Sequence, residues 1–251
     1  MRGLKPKGVF IKREELERLE QKKVAIVGIG KLGSALMKHW DENERSIGVY
    51  HPDQAKANNF SRKFSHGYVI EEKNFDSFDI VVLCLPPASI VPFLKGIHPA
   101  EKTLYINMAT SVNTKDIRAQ IPSLNILGIK YMGQAGDLLQ NGNGLFISEK
   151  RLTPDLHQLF AIQGEILQDD EERLNEANTA AAYYALRAAV ELQELFNKRG
   201  FPELYAKRAL ESTIPGVIRS YSDASLGHFA LKILEDVKKE RTEKNPKSAV
   251  F

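Results

Sequence analysis

Residues Val24–Trp40 read VAIVGIGKLGSALMKHW. Val24, Ala25, Ile26 and Val27 form the apolar run of a buried strand, and Leu32, Ala35, Leu36 and Trp40 recur at helical spacing. Between the two patterns stand Gly28, Gly30 and Gly33, each with its own physical reason. Gly28 permits a tight turn out of the strand, Gly30 lets the backbone approach a pyrophosphate, and Gly33 lets the helix lie close on the sheet. Unpaired N–H groups at the helix start, together with the helix dipole, favour an anion there. The spacing predicts a dinucleotide-binding turn built from Gly28, Ile29, Gly30, Lys31, Leu32 and Gly33; an empty strand–turn–helix is the alternative. Lys31 either touches a pyrophosphate oxygen or points to solvent.

Outward from this turn the pattern repeats. Ser46–Tyr50, Ile80–Leu85, Leu104–Met108 and Leu124–Ile129 are short apolar runs separated by polar segments, and Gly144–Ser148 is a further candidate strand. Such alternation predicts an α/β fold, a Rossmann-type doubly wound parallel sheet covered by helices. Thr153 and Pro154 have the residue types of an N-cap and a first helical position. Beyond them no strand signal is read. Glu171–Arg199 contains neither Gly nor Pro, and Leu174, Ala177, Ala181, Tyr184, Ala188, Leu192 and Leu195 follow three- and four-residue steps. This predicts one helix about 40 Å long. Its alanine-rich face would let a helix of a second subunit come close, or would serve an internal core. Gly200–Phe201–Pro202 ends it, and Glu203–Thr213 and Gly227–Lys239 read as two more helices. The expected organisation is a lead-in over 1–22, a dinucleotide-binding domain over 23–150, and an all-helical C-terminal dimerisation domain over 151–251. Within the lead-in, Lys12–Gln21 reads as a solvated helix; the final stretch, KKERTEKNPKSAVF, reads as a charged mobile tail.

Composition narrows the function classes. A chain of 251 residues, 43% of them hydrophobic, can bury a sizeable core. The net charge of +3 comes without a basic stripe interleaved with aromatics, so nucleic acid is not expected as a partner. The single cysteine, Cys84, cannot close an internal disulfide and reads as a buried structural thiol in a reducing compartment. No signal peptide or apolar span is read, so the expected location is cytoplasmic, with no membrane partner. No Cys/His cluster has metal-ligand spacing, so no metal site is expected.

The second strand ends at Tyr50 and His51, where an acid would select NAD by binding its ribose hydroxyls. That absence, with His51 and Lys56 nearby, favours NADP over NAD. Asp53 either reaches the ribose or caps the next helix. Leu85, Pro86 and Pro87 shape a loop beside the dinucleotide, or simply end their strand. Ala109, in Met108–Thr110, lies at a strand's C-terminal end, where open α/β sheets bind ligands, and is a candidate nicotinamide contact. Among acid–base candidates His228 has a suitable side chain. Gln134, Tyr131, Tyr183 and Tyr184 are candidates for orienting a small-molecule substrate.

GIGKLG, DIVVLCLPP (Asp79–Pro87), YINMATSV (Tyr105–Val112) and LFAIQGEILQDDEERLNEANTA (Leu159–Ala180) together resemble the pyrroline-5-carboxylate reductase family. The resemblance implies an NADP-dependent oxidoreductase. It also implies a C-terminal helical domain that forms a homodimer, and hydride transfer to a carbon–nitrogen double bond. It brings Thr179 into the candidate site, because Thr179–Ala180 matches the family's Thr-Ala pair. Three departures stand beside it. Met132–Gly133–Gln134 replaces the family's Met-Pro-Asn. Thr179–Ala180 runs into AAYYALR instead of a Ser-Gly-Ser-Gly-Pro loop. SYSDASLGH (Ser220–His228) replaces the glycine-rich loop that offers N–H groups to a carboxylate. The expected substrate is therefore a small imine or carbonyl compound other than pyrroline-5-carboxylate, and a non-catalytic dinucleotide-binding protein is the rival reading.

Overall fold

The structure is a computed structural model that describes residues 22–97 and 99–244. The expected helix over Lys12–Gln21 and the end of the charged tail lie outside the described residues. By the density of contacts the chain divides into two compact units, one ending at Thr179 and the other starting at Ala180.

The first unit is built on a six-stranded parallel sheet. In chain order its strands are β1 (Val24–Val27), β2 (Ile47–Tyr50), β3 (Gly67–Val69), β4 (Ile80–Leu83), β5 (Leu104–Asn107) and β6 (Ile126–Gly128), arranged 3-2-1-4-5-6. This is the doubly wound order, in which the chain reverses its direction of travel across the sheet between β1 and β4. Residues alternate between the two faces. Val24, Ile26, Ile47, Val49, Ile80, Val82 and Ile106 enter one core cluster, and Ala25, Val27, Tyr50, Val81, Leu83 and Tyr105 enter the other. Burial on both faces explains why these strands read as continuous apolar runs.

The intervening helices are α1 (Lys31–Glu42), α2 (Gln54–Ser61), α3 (Pro87–Ile97) and α4 (Thr114–Gln120). The Trp40 side chain, at the end of α1, is buried. Its indole N–H donates to the Leu159 carbonyl at 2.8 Å.

Past β6 the chain adds β7 (Lys130–Met132), α5 (Ala135–Asn141), β8 (Gly144–Ser148), α6 (Pro154–Ala161) and β9 (Gly164–Gln168). These strands form a second, three-stranded sheet, in which β8 runs antiparallel to β7 and parallel to β9. Two expectations are corrected here. The apolar run over Leu124–Ile129 is not one strand: β6 stops at Gly128, and the chain resumes one residue later as β7 in a different sheet. Strand structure also does not end before Thr153. β9 follows α6, with a pattern of partly buried and exposed residues too weak to register as a strand. Thr153 does cap α6, accepting from the Leu156 amide, with Pro154 in the first turn.

The long helix α7 spans Glu171–Lys198. It begins in the first unit and continues into the second. The second unit contains no strand among its described residues. Its elements are α8 (Glu203–Arg208), a π-helical turn (Ala209–Thr213), α9 (Ile214–Ser222) and α10 (His228–Lys244). Helical structure therefore runs past the expected stop at Thr213, and α10 takes in the first residues of the stretch read as a tail. No helix among the described residues is long and apolar enough to cross a membrane.

Candidate functional site

The glycine turn lies between β1 and α1, at the C-terminal edge of the sheet and at the point where strand order reverses. Gly28 has φ +105°, a conformation L side chains resist, and a Cβ on it would stand 2.3 Å from the Cys84 carbonyl oxygen. A Cβ on Gly33 would stand 2.0 Å from the Gly28 carbonyl oxygen. These two glycines are required by the protein's own packing. Gly30 differs: beyond its chain neighbours, no atom of the described residues lies within 4 Å of where its Cβ would be. The open space on that side is what a pyrophosphate approaching the backbone needs.

Gly30 is the N-cap of α1, and its carbonyl accepts from the Ser34 amide at 2.9 Å. The first turn of α1 contains no acidic residue, so its N–H groups and positive dipole end have no internal anion. Lys31 is exposed beside them; Ile29 and Leu32 are half-buried against the core. The strand–turn–helix expected from the sequence is thus present, with Gly28 and Gly33 in the close-packed positions that their spacing implied.

The end of β2 is occupied differently from the NAD-selecting pattern. Tyr50 is buried against Phe75 and Phe93, and its hydroxyl donates to the Glu72 carboxylate at 2.9 Å. Burial, with Glu72 beside it, pushes the Tyr50 phenol up to about 12. His51 follows, half-buried, and its Nδ1 accepts from the Asp53 amide at 2.9 Å. An amide can only donate, so the neutral imidazole carries its proton on Nε2. Asp53 caps α2: its Oδ1 accepts from the amides of Ala55 at 2.9 Å and Lys56 at 3.1 Å. Of the two roles open for Asp53, the structure gives it the cap. Lys56 Nζ stands 4.0 Å from the other Asp53 oxygen.

Leu85, Pro86 and Pro87 follow β4, next to the Gly28 contact at Cys84. Leu85 is half-buried, whereas both prolines are exposed, Pro87 as the first residue of α3. The Cys84 residue is half-buried and packs against the core. Its apolar surroundings push the thiol pKa up, so it is a poor nucleophile.

The loop after β5 starts beside β4, where the Met108 amide donates to the Leu83 carbonyl at 3.2 Å. Ala109, the candidate nicotinamide contact, is half-buried in this loop. Its shape is fixed by buried polar groups that the sequence reading did not single out. Asn107 is fully buried; its side-chain amide donates to the Val112 carbonyl and to Thr114 Oγ1, both at 3.0 Å, and its oxygen accepts from the Ala109 amide at 3.1 Å. Lys130, also fully buried, donates to the carbonyls of Ala109 at 2.6 Å and Val112 at 2.9 Å, and lies 3.4 Å from the Glu171 carboxylate. The signal for Lys130 is a single lysine inside the apolar run LGIKYM.

Of the remaining candidates, Tyr131 is buried and its hydroxyl is held by a backbone carbonyl. Gln134 is exposed at the start of α5, and its backbone carbonyl, not its side chain, accepts from the Tyr131 hydroxyl at 3.1 Å. Thr179 is exposed within α7. His228 is exposed at the start of α10, in the other unit. Tyr183 and Tyr184 are exposed side by side on α7, with ring centres 5.4 Å apart. Ser220 and Ser222 lie within α9, and the Ser220 carbonyl accepts from the Ser225 amide at 2.8 Å.

Residues 23–111, which carry β1 to β5, match the model of a family described as NADP oxidoreductase, coenzyme F420-dependent. Comparison with curated proteins finds no match. Among solved structures, a Bacteroides fragilis protein described as an NADP oxidoreductase is similar at TM-score 0.62 and 16% identity, over 92% of this chain and 93% of that one. A pyrroline carboxylate reductase of Plasmodium falciparum, solved with NADP bound, is similar at TM-score 0.58 and 20% identity, over 90% and 91% of the two chains. An imine reductase of Myxococcus stipitatus in complex with NADP+ is similar at TM-score 0.62 and 14% identity, over 87% and 78%. At these identities the likeness establishes the fold, a Rossmann-type sheet followed by helices.

Proposed function

We propose that this chain is a nicotinamide-dinucleotide oxidoreductase, a divergent relative of pyrroline-5-carboxylate reductase, that transfers hydride to a small imine or carbonyl compound. The observation that carries the reading is the asymmetry of the three glycines: Gly28 and Gly33 are demanded by internal packing, while Gly30 faces open space at the head of a helix with no internal anion. The match of residues 23–111 to an NADP oxidoreductase family supports it, as do the structural neighbours solved with NADP. The dinucleotide supplies the hydride. The chain's part is to bind the pyrophosphate on the amides of Gly30–Gly33 and to hold the nicotinamide half between Leu85–Pro87 and the loop at Ala109. NADP is the preferred form in this reading. No acid of β2 meets the ribose, Asp53 is spent on its helix cap, and the His51 Nε2 proton and Lys56 are the groups available to a 2′-phosphate.

The helical second unit is proposed to pair with a second copy of the chain, and the cytoplasmic placement expected from the sequence belongs to the same reading. A second reading, a non-catalytic dinucleotide-binding protein, is favoured by one observation: the side chains of Gln134, Thr179 and His228 are all exposed. Calorimetric titration with NADPH and NADH, followed by assays of nucleotide oxidation with small cyclic imines, separates the two. NADPH is expected to bind more tightly than NADH. Absence of binding by both nucleotides at millimolar concentration would overturn the dinucleotide reading, and binding without turnover would favour the second.

A further inference from the structure

We propose that Lys130 is a positioning residue, whose ammonium, anchored by Glu171, fixes the loop over 109–112 against which the nicotinamide half of the dinucleotide would rest, and so ties affinity for that half to pH. This rests on the dinucleotide reading above.

The geometry is that of a built site. A lysine ammonium has three N–H donors, and Lys130 has three acceptors: the carbonyls of Ala109 and Val112, at the two ends of the loop, and the Glu171 carboxylate. The Glu171 oxygen that faces Lys130 also accepts from the Thr114 amide at 2.9 Å, where the loop turns into α4. The other Glu171 oxygen occupies the place a side chain would take at residue 128, since a Cβ on Gly128 would stand 1.7 Å from it. Gly128 therefore admits the carboxylate, the carboxylate holds the ammonium, and the ammonium ties the two ends of the loop. Buried charges are costly and persist only when so paired and hydrogen-bonded. Here the charge is spent on a loop at the C-terminal edge of the sheet.

Deprotonation breaks the arrangement in a defined way, because a neutral amine keeps two N–H donors for the same three acceptors. Burial pushes Lys130 down to about 8, against the upward pull of Glu171 and of Glu149 just after β8. Those two carboxylates are the charged groups facing it. Lys115 and Glu172 nearby pair with each other at the surface. Above this value one of the three contacts that join Glu171, Lys130 and the loop is lost, within the pH range of ordinary assays.

The test compares two ligands on the full chain. NADPH reaches the loop, whereas ADP engages only the glycine turn and the adenine half. In the wild type, NADPH affinity measured by fluorescence is expected to fall as pH rises from 7 to 9, with ADP affinity unchanged; in Lys130→Arg, whose charge does not titrate, the fall is expected to vanish. At pH 7, Lys130→Met is expected to weaken NADPH about fivefold or more while leaving ADP within about twofold, and to speed hydrogen exchange at the Ala109 and Thr114 amides but not in β1 or β4. If Lys130→Met does not fold, the wild-type and Lys130→Arg pH series decides alone. Equal weakening of both ligands, or a pH dependence that persists in Lys130→Arg, would overturn the proposal. Failure of wild type to bind NADPH at any pH would instead overturn the dinucleotide reading, and this role with it.

Discussion

At the residue scale the glycine turn separates two kinds of necessity. Gly28→Ala and Gly33→Ala each push a methyl group into a backbone oxygen, at 2.3 and 2.0 Å, and Gly28 adds a positive φ. Each substitution is expected to destabilise the protein by more than about 2 kcal/mol, read from denaturant unfolding. A Cβ at residue 30 has no described atom within 4 Å beyond its chain neighbours, and Gly30 has φ −75°, so Gly30→Val is expected to keep its unfolding free energy within about 0.5 kcal/mol of wild type. NADPH binding to that variant should nevertheless be lost in a calorimetric titration; retained binding would show that the space beside Gly30 is not where the nucleotide lies. The places of Gly28 and Gly33 were legible in the sequence because the strand–turn–helix spacing announces them, although the atom that excludes a side chain at Gly28 belongs to Cys84, after β4. Lys130 was not, because a lysine between Ile129 and Tyr131 reveals its partners only once β5, β6 and α7 are assembled around it. Its titration makes a separate stability prediction. The folded state lowers its pKa from 10.5 to about 8, so between those values the unfolded chain binds more protons, and stability contributed by this group rises with pH. The difference in unfolding free energy between wild type and Lys130→Arg should grow from pH 8 to pH 10.5, opposite in sign to the trend expected for NADPH affinity.

At the scale of elements, what the sequence made plain is what neighbours in the chain decide. The Thr153–Pro154 start of α6 and the uninterrupted α7 follow from capping chemistry and periodicity. The buried strands β1, β2, β4 and β5 follow from their apolar runs. β3, at the sheet edge, has only Gly67, Tyr68 and Val69, and β9 places Glu165, Leu167 and Gln168 in exposed or partly exposed positions. Their strand character comes from pairing with β2 and β8, which no local pattern announces. The same distinction assigns Asp53. Its carboxylate is taken by the first amides of α2, so Asp53→Ala is expected to cost about 1 kcal/mol of stability, as the loss of an N-cap does. The ratio of NADPH to NADH dissociation constants should not move. A change in that ratio of more than about tenfold, or 1.4 kcal/mol, would show that Asp53 reads the ribose after all.

At the scale of the whole molecule, the two units are unequally finished. The first buries two clusters, one on each face of its main sheet, whereas in the second Ala206 is the one apolar residue that is buried among those described. Its helices carry apolar stripes that face outward. Tyr183, Leu186 and Val190 on α7 follow steps of three and four residues, with Leu186 66% exposed; Phe229, Ile233 and Val237 on α10 follow steps of four, with Phe229 82% exposed. Stripes of this kind cannot supply the burial that offsets the entropy of ordering helices unless something covers them. Hydropathy alone left open whether the alanine-rich face of α7, with Ala177, Ala181, Tyr184 and Ala188, is internal core or a contact between subunits; the stripe of Tyr183, Leu186 and Val190 is a second one that the sequence reading did not single out. Tyr184, Leu186 and Val190 are exposed within one chain, which fits the pairing proposed above, where a second copy would present the same surface with two-fold self-complementarity. Leu186→Glu and Ile233→Glu place a charge in each stripe while leaving the first unit's core untouched. Light scattering at micromolar concentration should find a dimer for the wild type and a shift toward monomer, with greater binding of a hydrophobic dye, for either variant. A monomeric wild type would refute the pairing, and the helical unit would then need a different partner for the same two stripes.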